Sequence, residues 1–364
     1  MKINLNSLYP SETPADPMLT EAQTHAVFVV IPRFNMTTLT TMIEVMRIAN
    51  YLSSQPLFTW QITSFDGPEI TASNGMKLSD LTPVDDLVDA DTVFVLGSWG
   101  AEHYDNKSTV SWLRKTARAG VQICAVEMGS YVVAKTGLLK GKPATTHWSW
   151  VPGFQEKYSD INVVEQIFTI DNKIMTCAGG LAGVDLMLRL IELSHGAGLS
   201  GEIADQMLHH PVRIDTTPQR HTMGQGTETM VPVVREAVSL MERNIEDPIS
   251  VPEIAKTLGV SQRQLERLFK RHIGCTAVQF GLLMRLQNAR VLLITTDLSI
   301  REIATASGFN TLSHFAYSFG KFFGRRPSEY REAWPQEDSA PSWPGTLSDF
   351  LSSLKSKQPG PLLR

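Results

Sequence analysis

Three cysteines are the residues of this chain best suited to covalent chemistry. Cys124, Cys177 and Cys275 lie far apart, with no Cys-x-x-Cys pair and no spacing typical of a zinc site. A thiol becomes nucleophilic when a helix N-terminus or a nearby cation lowers its pKa. Cys177 precedes Gly179-Gly180 and an apolar helical stretch, which would permit that effect, although a small buried residue is the favoured interpretation. An odd, small number of thiols excludes a disulfide framework and suits a reducing cytoplasm.

The other residue types predict neither a metal nor a cofactor. His209-His210 lies in a polar stretch that indicates a linker rather than a ligand pair. No apolar run approaches the roughly 18 residues of a membrane span, and the first 24 residues lack the order of a signal peptide. The net charge of -4 over 364 residues argues at first against a nucleic-acid partner. We therefore expect a cytoplasmic protein without a membrane segment.

The elements that must position these residues alternate between strand and helix over the first 200 residues. Continuous apolar runs are typical of strands buried on both faces of a parallel sheet. They occur at 26–32, 91–97 and 121–126, with strand-like segments at 57–64, 161–169 and 173–177 and helical spacing at 37–50, 111–119, 129–136 and 181–194. This alternation predicts an α/β fold with a parallel sheet.

The composition changes beyond residue 208. Residues 209–229 are polar, contain Pro and Gly and have no periodicity, which predicts a linker. Residues 230–334 show no strand pattern and predict an all-α domain of short helices. Polar, Pro-containing residues 1–24 and Ser- and Pro-rich residues 335–364 predict a flexible arm and a flexible tail.

One internal repeat stands out in the helical part. Residues 253–260 (EIAKTLGV) and 302–309 (EIATASGF) share Glu, Ile, Ala and Gly at a separation of 49 residues. In each copy an amphipathic helix meets a glycine placed to end it, and Ser261 or Thr311 then caps a second helix. This order is that of a helix-turn-helix. Two such units, over 251–273 and 300–323, are joined by a helix over 278–293.

The charge distribution agrees with this interpretation. Residues 230–334 hold 14 Lys and Arg against 10 Asp and Glu, a net charge of +4. The remaining residues hold 19 against 27, a net charge of -8. Phosphate contacts need local positive charge rather than a basic protein as a whole.

The helical part resembles the AraC/XylS DNA-binding domain. The matching segments are LERLFKRHIGCTAVQF, RLQNARVLLITTDLSIREIATASGF, SHFAYSFGKFFG and RRPSEYR. The resemblance implies two recognition helices, over 261–272 and 311–323, in successive segments of the DNA major groove. The family often has Arg at position 317 and a basic residue at 320, so this chain's second helix is expected to read sequence weakly. The residues implied to meet DNA are Gln262, Arg263, Arg267, Ser313, His314, Tyr317 and Arg325.

Residues 25–208 resemble the PfpI-like, class I glutamine amidotransferase-related domain of GlxA-type AraC regulators. The anchors are IEVMRIAN, VLGSWGAE, MGSYVVAKTGLLKGKPATTHW and TCAGGLAGVDLMLRLI. The resemblance implies a flavodoxin-like parallel-sheet sandwich with a nucleophilic Cys at a sharp turn between strand and helix. The position of this nucleophile falls on Glu127, and the His that assists catalysis is retained at His147. The position at which some enzymes of the superfamily have an acidic residue falls on Thr38. Because a carboxylate cannot replace a thiolate, the resemblance implies a domain without covalent catalysis.

The altered site is expected to bind a ligand. Glu127 is either a structural acid near a helix N-terminus or a counter-ion for a bound effector. Aromatic faces near a carboxylate hold amines, and Trp99, His147 and Trp148 are candidate lining residues. Glu44 either faces this pocket or pairs with Arg47. The IE-x-x-R-x-AN segment looks like the subgroup of these regulators that senses arginine, carnitine, glycine betaine and related amines.

These features predict a ligand-responsive, sequence-specific transcriptional regulator. We expect a homodimer that binds double-stranded promoter DNA and a small amine, betaine or amino acid, acts with RNA polymerase and activates a catabolic operon. The alternative is a cysteine-dependent hydrolase, amidase or glyoxalase fused to a helical domain. A third interpretation is a DNA-binding module on a purely structural dimerisation domain.

Overall fold

The computed structural model describes residues 23–53, 56–219 and 231–332. The expected arm and tail lie outside these residues, apart from Gln23 and Thr24. The folded chain forms two compact units. The first unit comprises the chain up to Leu138 together with Ile170–Asp215. The second unit comprises Leu139–Thr169 together with the chain from Thr216. The domain boundaries expected at 208 and 230 stay predictions.

Strands and helices alternate through the first described part of the chain, up to residue 219. In order, the elements are β1 (Thr24–Val30), α1 (Met36–Leu52), β2 (Phe58–Thr63), β3 (Ile70–Thr71), β4 (Lys77–Leu78), β5 (Thr92–Gly97), α2 (Lys107–Arg118), β6 (Gln122–Glu127), α3 (Gly129–Ala134), β7 (Pro143–Ala144), α4 (Val151–Lys157), β8 (Asn162–Val163), β9 (Phe168–Asp171), β10 (Ile174–Cys177), α5 (Ala182–His195) and α6 (Ala197–Gln206).

The main sheet has six strands in the order β2-β1-β5-β6-β10-β9. Within this sheet, the four pairs β2–β1, β1–β5, β5–β6 and β6–β10 are parallel. β1 and β5 lie inside the sheet, and all six residues of β5 are buried. Their continuous apolar runs therefore have the cause expected from the sequence, which is burial on both faces. The carboxyl ends of β5 and β6 lie side by side, with Gly97 opposite Glu127.

Helices of the first unit pack around this sheet. α1, α5 and α6 pack against one another, and α3 packs against β5 and β6. The sequence interpretation missed α4, α6 and the β3–β4 hairpin. It also placed one strand over 161–169, where the structure has two, because β8 pairs with β7 in a separate two-stranded sheet.

The described residues beyond 231 form helices. They are α7 (Pro232–Arg243), α8 (Val251–Thr257), α9 (Gln262–His272), α10 (Ala277–Thr295), α11 (Ile300–Ala306), α12 (Leu312–Phe323) and α13 (Pro327–Glu332). Two apolar clusters, one around Phe269 and Phe280 and one around Phe315 and Phe319, form their cores. Across the described ranges, no helix is both long and apolar enough to span a membrane.

Both copies of the repeat fold in the same way. Ser250 with Glu253 and Ser299 with Glu302 form capping boxes that begin α8 and α11. The glycines that follow these helices, Gly259 and Gly308, have φ of 67° and 73°. A Cβ at Gly308 would also lie 2.4 Å from the Ile245 carbonyl oxygen, so only glycine fits there. The two expected helix-turn-helix arrangements are therefore α8–α9 and α11–α12.

Candidate functional site

Glu127 occupies a strained turn between β6 and α3. Its φ is 55°, in the left-handed region that non-glycine residues seldom adopt. The Met128 N–H donates to the Gly97 carbonyl (3.0 Å), and the Ser130 hydroxyl donates to the carbonyl of Glu127 (3.1 Å). A Cβ at Gly129 would lie 2.0 Å from the Val95 carbonyl oxygen, so the helix must begin with glycine. The sharp turn implied by the resemblance is present, with a carboxylate at its apex.

Polar side chains surround the Glu127 carboxylate. The Ser98 hydroxyl donates to Oε1 at 2.8 Å, and the Thr38 hydroxyl donates to Oε2 at 3.5 Å. Thr38 Oγ1 in turn accepts the Gly180 N–H at 2.8 Å. Asn35, the N-cap of α1, also hydrogen bonds to Glu127. Thr38, which replaces an acid of the superfamily, thus joins Glu127 to the loop that precedes α5.

Burial dominates the electrostatics of this carboxylate. Glu127 is 7% exposed, and desolvation raises its pKa from 4.5 to about 7, against the opposing effect of its three side-chain hydrogen bonds. Gly179 closes the site on one side, since a Cβ there would lie 2.6 Å from the Cβ of Glu127. Near neutral pH the carboxylate is therefore poised between its protonated and ionised forms.

None of the three cysteines is placed for nucleophilic chemistry. Cys124 lies buried within β6, and burial raises its pKa well above the ordinary value. Cys177 ends β10, and burial raises its pKa to about 12 even though the Gly179 N–H donates to its sulfur (3.5 Å). Cys275 is buried in the helical unit. Both thiols of the sheet are therefore held in the protonated form.

Of the other candidate ligand residues in the first unit, one follows a residue that hydrogen bonds to Glu127 and one is engaged elsewhere. Trp99 directly follows Ser98 and is half-buried. Glu44 forms an ion pair with Arg47 on α1, at 2.7 Å between the Arg47 Nη2 and the Glu44 Oε2 atoms. Of the two interpretations of Glu44, the structure therefore shows the pair with Arg47. The described contacts of Glu44 give no support for a role in a ligand site.

His147 and Trp148 lie together in the second unit. His147 caps a 3-10 turn over Trp148–Trp150: its Nδ1 accepts the Ser149 N–H and lies 2.7 Å from the Ser149 hydroxyl. Burial lowers the pKa of His147 to about 4, so the ring is neutral at pH 7. The Trp148 ring, 39% exposed, lies 5.5 Å from the imidazole. This turn and α4 both pack against α10.

Sequence reasoning missed an ionic cluster around Asp185. Asp185 lies in α5 with a fully buried side chain, and Arg213 binds it through the backbone N–H (2.8 Å), Nε (3.0 Å) and Nη2 (2.6 Å). His209 Nε2 lies 2.9 Å from Asp185 Oδ1, the oxygen that also accepts the Arg213 backbone N–H. Residues 209–213, which begin the stretch that the sequence predicts to be a linker, are therefore held to α5 in the first unit. The available signal was an acid inside the apolar run LAGVDLMLRLI.

The residues implied to contact DNA are exposed on the two second helices of the repeat. Gln262, Arg263 and Arg267 are exposed on α9, where Ser261 caps the helix. Ser313, His314 and Tyr317 are exposed on α12, which Thr311 caps, and Arg325 is exposed just beyond it. The geometry leaves these side chains accessible, and their contacts with DNA stay predictions.

Comparison with known proteins identifies the family. A helix-turn-helix domain family matches residues 254–333, and the DJ-1/PfpI family matches residues 26–193. The chain is 34% identical to the HTH-type transcriptional regulator GbdR of Pseudomonas aeruginosa over 308 residues, which cover 85% of this chain and 84% of GbdR. The chain belongs to the AraC-family regulators that carry a DJ-1/PfpI domain.

Two further relatives have the same architecture. The HTH-type transcriptional regulator CdhR of Pseudomonas aeruginosa is 35% identical over 87% of this chain and 94% of its own length. The HTH-type transcriptional regulator GlxA of Rhizobium meliloti is 30% identical over 84% and 94%. The chain is thus a DNA-binding transcriptional regulator, and the regulator interpretation is confirmed over the thiol-dependent enzyme. The expected fold class, an α/β domain with a helical helix-turn-helix region, is also confirmed.

Proposed function

We propose that this regulator responds to a small cationic effector, an amine, a betaine or an amino acid, bound at Glu127. The observation that carries the proposal is a buried carboxylate at the turn where the superfamily's enzymes hold a nucleophile. Ser98, Thr38 and Asn35 orient this carboxylate. We propose that Trp99, which follows Ser98 in the chain, supplies an aromatic face of the kind that binds ammonium groups.

The raised pKa of Glu127 gives the site its chemical preference. Burial penalises the ionised form, so a ligand that supplies a positive charge restores the interaction that water no longer provides. A neutral or anionic ligand gains nothing from this carboxylate. The amine-sensing subgroup that the IE-x-x-R-x-AN segment resembles agrees with this preference.

A route by which a structural change could reach the DNA-binding helices is supported by contacts within the second unit. The turn that His147 caps and α4 both pack against α10, which joins the two helix-turn-helix arrangements. A change in the packing of His147 or Trp148 would reach α10 and hence alter the spacing of α9 and α12. In this proposal His147 is a neutral hydrogen-bonding group rather than a base.

We place this activity in the cytoplasm, in a homodimer that activates a catabolic operon through contacts with RNA polymerase. Two exposed leucines, Leu181 (53%) at the N-cap of α5 and Leu193 (59%) within it, support an interface between copies. Sedimentation of the full chain tests the dimer. Sedimentation as a monomer at micromolar concentration, with and without DNA, would contradict it.

The effector proposal is tested by a thermal-shift panel of amines, betaines and amino acids, each paired with a neutral analogue of the same shape. A ligand at 100 times its dissociation constant adds about 2.7 kcal/mol to stability, which such a panel detects. For any ligand found, Glu127→Gln should weaken binding at least tenfold, because an ionic partner is lost. Glu44→Gln, which removes a half-exposed acid paired with Arg47, is the matched control and should leave affinity unchanged.

The pH dependence provides a second test. Because Glu127 must be ionised to bind a cation and its pKa is about 7, affinity should rise about tenfold between pH 6 and pH 8. Equal binding of charged and neutral analogues, or an unaffected Glu127→Gln variant, would refute the counter-ion role. Unaltered DNA binding by that variant would show that the DNA-binding function is intact.

A further inference from the structure

The two recognition helices can be compared position by position. Ser261 and Thr311 are their N-caps, so α9 and α12 begin at equivalent places. The buried positions agree, since Leu265 and Phe269 of α9 correspond to Phe315 and Phe319 of α12 and all four side chains are 0% exposed. An offset of 50 residues therefore relates the outward faces of the two helices.

The outward faces differ in their chemistry. Arg263, Arg267 and Arg271 are exposed along α9 at intervals of four residues, which places three guanidinium groups on one face. The equivalent positions of α12 hold Ser313, Tyr317 and Lys321. One cation has thus replaced three, and an aromatic ring lies where α9 has its central arginine.

This aromatic ring is unusually accessible. Tyr317 is 68% exposed, and Leu312 in the first turn of α12 is 39% exposed. Over the described residues 231–332, Val278 is the one other large apolar side chain with comparable exposure. The Lys321 ammonium lies 5.9 Å from the centre of the Tyr317 ring, close enough for a cation–π contact. His314 packs edge-on against Phe309, which leaves Leu312 and Tyr317 as the outward apolar groups.

The DNA major groove offers one apolar feature that apolar side chains of a recognition helix can contact. The N-terminal part of such a helix approaches the base edges, and the C5-methyl group of thymine is the apolar group displayed there. Arginine reads guanine or binds phosphate instead. The faces of α9 and α12 are therefore suited to different DNA features.

We propose that α12 reads its half of the operator through thymine methyl groups, with Tyr317 and Leu312 as the specificity-determining residues. In this arrangement α9 supplies most of the phosphate contacts, and Lys321 holds the DNA backbone beside the Tyr317 ring. The two halves of the operator then differ: one contributes a salt-dependent affinity and the other a methyl-dependent specificity.

The test uses the full chain and an operator obtained by selecting random DNA duplexes with it. The two halves are assigned by hydroxyl-radical footprinting, from the segment of DNA backbone that loses protection in Arg267→Ala. Deoxyuridine, which lacks the methyl group, then replaces thymidine in one half at a time. We expect about fourfold weaker binding for each contacted methyl in the α12 half and little change in the α9 half.

Variants separate the two kinds of contact. Tyr317→Ala should remove the preference for thymidine over deoxyuridine and leave the slope of log K against log salt unchanged. Arg267→Ala, at the equivalent position of α9, should reduce that slope by about 1 and keep the preference. Tyr317→Phe should keep the preference because the ring makes the contact. Tyr317→Arg should raise the slope by about 1 and abolish the preference.

Three outcomes would overturn the proposal. They are a selected operator without thymine in the α12 half, an equal effect of deoxyuridine in both halves, and a Tyr317→Ala variant that retains the preference. Because Tyr317 is exposed, its variants should fold like the parent, which circular dichroism and a melting curve verify. The result does not depend on the effector, since DNA binding is measured directly.

Discussion

Replacing Glu127 by Gln should stabilise the protein, and increasingly so as the pH rises. The pKa of this carboxyl is about 7 in the folded chain, against 4.5 as its ordinary value. Between these pH values the folded protein retains a proton that the unfolded chain has lost. The stability linked to Glu127 is therefore fully present below about pH 4.5 and is lost as the pH rises through about 7. A difference of roughly 2.5 pKa units corresponds to about 3 kcal/mol.

Gln has the same shape and no charge, so it removes this penalty while its side-chain oxygen still accepts a hydrogen bond from Ser98. We expect Glu127→Gln to exceed the parent's free energy of unfolding by less than about 1 kcal/mol at pH 5 and by about 3 kcal/mol at pH 8. Urea denaturation of the effector-free chain at both pH values measures this difference. The lowered pKa of His147 acts in the opposite direction, since its stability is lost as the pH falls from 6.5 towards 4. That contribution is common to both proteins and cancels in the comparison.

Glu44→Gln serves as the matched control, because its acid is half-exposed and paired with Arg47, and its effect should be small at either pH. The reasoning is refuted if Glu127→Gln is less stable than the parent at pH 8, or if the difference between the two proteins does not change with pH. Either result would mean that the hydrogen bonds from Ser98, Thr38 and Asn35 outweigh the desolvation of the ionised carboxylate.

Three further predictions concern other parts of the chain. Glu127→Cys places a thiol at the strained turn, and iodoacetamide should add one equivalent to the folded variant and none to the parent, whose thiols are buried; modification of the folded parent, seen by intact mass, would contradict this. Arg213→Met leaves the buried Asp185 carboxylate without its guanidinium and should cost about 3 kcal/mol, the lower end for a buried pair because Arg213 is one-third exposed. A loss below about 1 kcal/mol in urea denaturation would show that His209 suffices. Ser299→Ala removes the N-cap of α11 and should cost about 1 kcal/mol, seen as a lower melting temperature; an unchanged melting curve would exclude a structural role for the cap.

Local sequence signals were sufficient for much of the fold. The buried strands β1, β5 and β6 appeared as continuous apolar runs because both of their faces are covered. The repeat was visible because each copy depends on a cap, an amphipathic turn and a left-handed glycine, all within a few residues. Ser261 and Thr311 cap their helices as the pattern indicated.

Features that depend on distant partners could not be predicted. Asp185 is bound by Arg213, 28 residues away, and no local pattern specifies that pairing. The short strands β7 and β8 are defined by their mutual pairing rather than by their own residues. At the turn, the resemblance placed Glu127 at the apex, but its bonds to Ser98 and Thr38 required the fold, since those residues lie 29 and 89 positions away.

The contact between Gly179 and Glu127 has a consequence for natural variation among the relatives. Gly179 has a φ of 85°, and any Cβ there would collide with the Cβ and carboxylate of Glu127. Both the backbone conformation at 179 and the Cβ at 127 therefore demand glycine at position 179, so this glycine should be kept among relatives whatever side chain occupies position 127. Attempts to redesign the effector preference should accordingly randomise position 127 and keep Gly179, because any side chain at 179 would displace the group at 127 that is proposed to meet the ligand.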